Sequence, residues 1–380
     1  MVPRLNATKV VVEFLGGGAC WSAETCDEAL ADEDPVLTIS TVPPALLDLD
    51  GLSATEVALR GTYVGVDFIF DDVGFDEATY VLASYCTQDA HLGTATATYR
   101  DDLVVHHNGW TNSRAVLDWV AQEFKGADIT ITGCSAGGLA TPILAKYLEE
   151  SFEKMSVISD SFAGLVSDDF TSQHLQNWGA ECVFADVLNL TAPEFKNGIE
   201  MTEALWRMAL EKTDIKLGAY TSKHDKSQMG QLRDMLGVIE SRSDPADQAR
   251  FARLALSLFD RLREDYPDTF ATFIVDGDAH CGLALDVAKT HEGFNEWALK
   301  LLDHQLPASF ACTNCTLDVL EGCDGVKGSR QVEQHCMTCG TSCEDKNLDT
   351  WSAVKMDCGN SCEDATNENL FETCPEKAAL

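Results

Sequence analysis

The order of apolar and polar positions falls into two kinds of run. Short stretches rich in β-branched and aromatic side chains read as strands: Val10–Leu15, Tyr63–Phe70, Thr79–Ser84, Leu103–His107, Asp128–Thr132, Met155–Ser159, Ile215–Tyr220 and Phe270–Val275. Between several of them apolar residues recur every three to four positions. Ser113–Phe124 puts Ala115, Val116, Trp119, Val120 and Phe124 on one stripe, and Ala136–Leu148 and Gln248–Leu262 follow the same rule. Strands that alternate with helices predict an α/β fold, a mostly parallel sheet covered by helices on both faces. Pro35–Pro44 reads as a loop, and no internal repeat is visible.

Beyond about residue 306 the pattern fades and cysteines take over. Six of the 15 cysteines lie in residues 1–300 and nine in the last 80. We therefore expect a large α/β domain over residues 1–308 and a small Cys-rich tail over 309–380, too poor in apolar residues to fold without staples. Cys312-x-x-Cys315 followed by Cys336-x-x-Cys339 has zinc-ribbon spacing, but four-coordinate zinc leaves five tail cysteines over, so disulfides are the preferred reading. An odd total requires an unpaired thiol or an outside partner. Cys134, expected to be buried, is the candidate free thiol.

Three Asn-x-Ser/Thr triplets, at Asn6, Asn189 and Asn314, agree with glycosylation on a secretory route. Residues Met1–Thr8 carry no apolar leader. Taken alone that points to the cytosol, whereas the cysteines point to an oxidising compartment. The expectation is a secreted, extracellular chain whose natural N-terminus is truncated here.

Charge removes two classes of partner. Against 62 Asp and Glu stand 27 Lys and Arg, a net charge of −35. Such a surface repels phosphate backbones and offers no polybasic membrane contact. No apolar run reaches the roughly 18 residues of a transmembrane helix.

The chemistry concentrates at Gly133-Cys134-Ser135-Ala136-Gly137. A strand-like run precedes it and a helical pattern follows, the setting of a nucleophile elbow. Glycines at 133 and 137 let strand and helix approach, and Ser135 projects beyond the carboxyl end of the sheet. A serine nucleophile needs a base. His280 fits, because it follows Phe270–Val275 through the turn Asp276–Ala279. The acid that orients the imidazole is expected at Asp225, after Ile215–Tyr220; Asp160, Asp276 and Asp278 are alternatives. Gly16-Gly17-Gly18 after the first strand supplies bare backbone N–H groups. Gly17 or Gly18, with the N–H of Ala136, forms the expected oxyanion hole. A phosphate cradle is disfavoured, because neither the G-K-[ST] ending nor the G-x-G-x-x-G spacing is present. Cys20 and Cys26 read as a staple on this loop, Asp89 and His91 as loop braces rather than ligands, and Trp110 and Trp178 as candidate walls of a substrate site.

These residues together resemble the pectin acetylesterase family, which includes the Notum carboxylesterases. The matching pieces are Phe14–Trp21, Ser84–Gly93, Gly133–Leu139, Ile158–Gly164 and Ala279-His280-Cys281, in the family's order over roughly residues 9–300. The resemblance implies an α/β-hydrolase-like fold, secretion, several disulfides and a Ser-Asp-His triad carried by Ser135, Asp225 and His280. It also places Gly17, Gly18 and Ala136 around the oxyanion. Three departures stand out: less chain before the glycine loop, the Cys-rich tail, and Leu15 where the family has an acidic residue.

Nucleophile, base, orienting acid and oxyanion donors describe transfer of an acyl group to water through an acyl-enzyme. These parts call for no metal and no organic cofactor. The net negative charge disfavours de-esterified pectin and shifts the expected substrate toward an acetylated neutral glycan or another short acyl ester. A Notum-like enzyme would cleave a longer acyl chain from a protein or lipid and would carry a deep apolar pocket beside Ser135. A third reading is a secreted interaction protein that binds through its Cys-rich tail, with cell wall or matrix as the contact. It predicts an incomplete triad.

Overall fold

The computed structural model describes residues 7–31, 62–63, 78–168, 170–188, 198–211, 215–236, 245–283 and 293–311. The tail cysteines, the asparagines of the three glycosylation triplets, the Pro35–Pro44 loop and positions 64–70 of the predicted second strand lie outside the described residues, as does the choice between disulfides and zinc in the tail.

Ten strands are described: β1 (Lys9–Phe14), β2 (Thr62–Tyr63), β3 (Ala78–Ala83), β4 (Ala95–Arg100), β5 (Leu103–His107), β6 (Asp128–Cys134), β7 (Met155–Asp160), β8 (Ile215–Ser222), β9 (Phe270–Val275) and β10 (Phe310–Ala311). Eight form one sheet in the order β10-β9-β8-β7-β6-β1-β3-β2. All neighbours in it are parallel except β2, which runs antiparallel to β3 along the edge. This is an α/β fold with a seven-strand parallel sheet, of the α/β-hydrolase type.

The described helices are α1 (Ala23–Ala31), α2 (Gly109–Glu123), α3 (Ala136–Leu148), α4 (Leu175–Trp178), α5 (Glu181–Leu188), α6 (Gly198–Leu210), α7 (Lys226–Leu236), α8 (Pro245–Asp265) and α9 (Phe294–Leu302). Along β1 the alternation assigns the two faces. Val10, Val12 and Phe14 join the larger core under α2, α3 and α6, while Val11 joins the smaller core under α9. Each such side chain contributes roughly 1.5–3 kcal/mol relative to an exposed one.

Helix α3 is buried at nearly every position, which explains its apolar run. Pro142 lies inside it and cannot donate to the carbonyl of Gly138. That carbonyl accepts instead from the hydroxyls of Thr141 (2.9 Å) and Ser159 (3.0 Å).

One element departs from the sequence reading. The segment Leu103–His107 is a strand, but it pairs with β4 in a separate antiparallel ribbon. Its alternately buried and exposed residues fit a half-solvated ribbon rather than a doubly covered sheet.

Candidate active site

The sheet delivers the candidate residues to one edge, where β1, β6, β7, β8 and β9 end. In parallel sheets ligands bind outside these carboxyl ends. Ser135 follows β6 directly, with φ 57° and ψ −117°, a backbone region rarely held by a residue with a Cβ. The strain persists because the elbow is held from both sides. The Ser135 N–H donates to the Asp160 carbonyl at 2.9 Å, and its own carbonyl accepts from Leu139 at 3.0 Å. Glycine is required at 137, since a Cβ there would lie 1.9 Å from the Phe14 carbonyl oxygen.

The glycine loop after β1 is fixed from several directions. Gly18 has φ +75°, and its carbonyl accepts from the Tyr85 hydroxyl at 2.9 Å. The Cys20 N–H donates to the Gln88 carbonyl at 2.9 Å. His91 Nε2 donates to the Leu15 carbonyl at 2.7 Å; burial lowers the pKa of this imidazole. Asp89 is fully buried and accepts from the Thr87 hydroxyl and from the backbone N–H groups of His91 and Gly109. It therefore ties the segment 87–91, which braces the glycine loop through His91, to the start of α2. A disulfide joins Cys20 to Cys26, and the Trp178 indole N–H donates to the Cys20 carbonyl at 2.7 Å. The Ala136 N–H, first in α3, is one of the helix N–H groups with no acceptor inside the helix.

Asp225 lies just before α7 and is fully buried. Its carboxylate caps that helix, accepting from the N–H groups of Ser227 (3.0 Å) and Gln228 (2.9 Å) and from the Gln228 side-chain amide (2.8 Å). The same carboxylate receives His280 Nδ1 at 2.8 and 3.0 Å. Among the described residues, the side-chain hydrogen bonds of His280 go to Asp225 alone. Ser135 and His280 line one cavity without a hydrogen bond between their side chains; catalytic hydrogen bonds that are long or absent in a free enzyme commonly tighten when substrate binds.

Asp160, the alternative acid, has other hydrogen-bond partners. It is fully buried and receives the N–H groups of Gly282 (3.1 Å) and Leu283 (2.7 Å) and the Ser161 hydroxyl (2.8 Å). Burial raises its pKa to about 6, against the opposing pull of these donors. Asp276 and Asp278 stand nearer other partners, His224 and Lys226.

Two cavities meet at Ser135. One, of about 50 Å³, is walled by Leu139, Phe162, Leu165, Val166, Phe170 and Trp178. The other, of about 260 Å³, is lined by Gly17, Gly18, Ser227, Gln231, Asp234 and His280. Trp178 thus borders the smaller cavity, whereas Trp110 packs edge-on against Tyr147 and lines neither.

Cys134 is not a free thiol. It forms a disulfide with Cys281, 147 positions away. The reading from burial alone missed it because β6 and the end of the β9 loop meet only in three dimensions. The free thiols among the described residues are Cys86 and Cys182, both exposed. Among the described residues, two groups could hold a metal by proximity, Cys20-Cys26-His107 and Cys134-His280-Cys281. In each the sulfurs are engaged in a disulfide, and only thiolates ligate metals well.

No family model matches the chain, and no curated protein matches it. The fold is similar to that of the Wnt deacylase Notum from Drosophila in two crystal forms. Both are 15% identical to this chain and cover 81% of it, with TM-scores of 0.51 and 0.50. The match spans 88% and 89% of the Notum chains.

Proposed function

We propose that this protein is a secreted serine carboxylic-ester hydrolase that removes short acyl groups, acetyl above all, from hydroxyls of a polysaccharide. The observation that carries the reading is that His280, hydrogen-bonded to Asp225, lines the same cavity as Ser135 at its strained elbow. In the first half-reaction Ser135 Oγ attacks the ester carbonyl carbon while His280 Nε2 takes its proton. Asp225 holds the imidazole through Nδ1 and stabilises the imidazolium. The N–H groups of Ala136 and of Gly17 or Gly18 receive the developing oxyanion. Collapse expels the alcohol, which takes the proton from His280. Water, activated by the same base, then releases the acid and restores Ser135.

The cavities support the substrate class. About 50 Å³ is near a third of the ~150 Å³ that holds one benzene, so the apolar side has room for roughly one or two carbons beyond the carbonyl. The 260 Å³ side exceeds that benzene-sized volume and offers Ser227, Gln231 and Asp234 to a hydroxyl-rich alcohol. The disulfides support an oxidising, extracellular setting, and among the described residues no helix is long and apolar enough to cross a membrane.

A second reading, cleavage of a longer acyl chain, is favoured by the wholly hydrocarbon wall from Phe162 to Phe170 and by the fold similarity to a Wnt deacylase. Hydrolysis of p-nitrophenyl acetate and p-nitrophenyl octanoate, with Ser135→Ala as control, tests both. Acetate is expected to be preferred and the variant to be inactive. Preference for octanoate promotes the second reading, and turnover by the variant refutes the mechanism.

A further inference from the structure

The Cys134–Cys281 bond has a placement that loop closure alone does not require. Cys134 is the residue before the nucleophile, and Cys281 is the residue after the base. The bond thus joins the two halves of the reacting pair through their immediate neighbours.

The two sides differ in how they are held. Cys134 ends β6 and pairs in register with Asp160 of β7, so the elbow sits on the rigid sheet. His280 sits on a loop. Between β9 and His280 the chain passes through Gly277 (φ +94°), with Gly277 and Asp278 exposed. The loop is fastened after His280. The Cys281 N–H donates to the Ser161 hydroxyl at 2.9 Å, and the next two N–H groups donate to the Asp160 carboxylate. Asp160 also accepts the Ser135 N–H on its carbonyl. Disulfide and hydrogen bonds therefore stitch the loop to the same point, the junction of β6 and β7.

Backbone conformation marks that junction independently. Ser135, Ser161 and Cys281 all have positive φ, at 57°, 52° and 61°. Three non-glycine residues in this region persist together only where their surroundings over-determine them. A covalent bond between two of the three segments is such a constraint.

Resting on the hydrolase reading, we infer that Cys134 and Cys281 are positioning residues, and that hydrolysis depends on their being joined. Asp225 fixes the tilt of the imidazole, and the disulfide fixes its distance from Ser135. A displacement of about 1 Å at such a contact costs on the order of 100-fold in rate. A dithiol reductant breaks the bond in a balanced step. Two electrons and two protons pass to the sulfurs, giving two thiols, and the reductant closes to a cyclic disulfide. The site is thereby switched off without loss of Ser135, His280 or Asp225.

The test compares oxidised wild type, wild type reduced with dithiothreitol, and Cys134→Ala/Cys281→Ala, all on p-nitrophenyl acetate. Alkylation and mass spectrometry verify the state of each cysteine, and circular dichroism verifies the fold. The double variant is expected to lose about 100-fold in kcat with KM within about threefold, and to respond no further to dithiothreitol. Reduced wild type is expected to fall to the same level and to recover on reoxidation with oxidised glutathione. A folded double variant that keeps kcat within threefold of wild type overturns the inference. If that variant fails to fold, reduced wild type decides alone, because retained kcat with both thiols alkylated overturns it equally. Oxidised wild type that turns over no faster than Ser135→Ala refutes the hydrolase reading and this inference with it. Activity that survives reduction refutes the inference only.

Discussion

Asp225 and His280 lie 55 positions apart in the chain, and both carboxylate oxygens of the one face Nδ1 of the other. The same carboxylate takes up the first free N–H groups of α7. One buried group therefore starts a helix and orients an imidazole, and the two duties can be separated by substitution.

Asp225→Asn separates them. Asparagine caps helices about as well as aspartate, so stability is expected to change by less than about 1 kcal/mol. The amide favours the wrong imidazole tautomer and cannot stabilise the imidazolium. A fall in kcat of on the order of 10³–10⁴ is expected, with KM little changed. Steady-state kinetics beside thermal melts check both halves, and a loss below about tenfold moves the orienting role to another acid.

On the proposed function the small cavity limits acyl length, and a single truncation should relax that limit. Leu165 is buried in its wall. Leu165→Ala is expected to raise the ratio of butyrate to acetate turnover by roughly 10-fold or more, since one methylene is worth about 1–3 kcal/mol in such pockets. The cost in stability is about 2–5 kcal/mol. Competing p-nitrophenyl esters measure the ratio, and an unchanged ratio means the acyl group sits elsewhere.

Charge predicts a salt effect that depends on the substrate. At −35 the surface repels an acetylated uronate polymer but not an acetylated neutral glycan. Raising ionic strength from about 10 to about 150 mM shortens the screening length from roughly 30 to 8 Å. The apparent kcat/KM should rise several-fold for the polyanion and stay flat for the neutral polymer. Acetate release by both substrates across that range gives the comparison.

Glu13 makes stability depend on pH in an unusual direction. It is buried on β1, and burial first, then the charge of Asp160, raise its pKa from 4.5 to about 8. Between those values the folded chain holds a proton that the unfolded chain releases, so stability falls as pH rises through that window. The contribution is complete below about pH 4.5 and lost above about pH 8. Glu13→Gln removes the dependence. Urea unfolding is expected to show little difference from wild type at low pH and a gain on the order of a few kcal/mol near pH 8. Parallel pH profiles for the two proteins would remove Glu13 as the cause.

What could be read beforehand followed from local physics. The β6–elbow–α3 sequence was legible because strand, glycines and apolar helix are contiguous, and β1 with its glycine loop was legible for the same reason. Ile215–Tyr220 and Phe270–Val275 were apolar enough to mark where Asp225 and His280 leave the sheet. Strand β4 was not legible, because Ala95–Arg100 alternates small side chains with little apolar contrast. The Cys134–Cys281 bond was hidden because pairing is decided by which strand ends become neighbours. The apolar wall of the small cavity was hidden too, since Phe162, Leu165 and Phe170 look like ordinary core until Ser135 is seen beside them.

The Cys134–Cys281 bond also has a consequence for a chain that has been cut. A protease that nicks the chain anywhere between Ser135 and His280 leaves both fragments fastened together beside the severed stretch. Such a molecule runs as one band on a gel until thiol is added, and it keeps Ser135 and His280 in one body after the first cut.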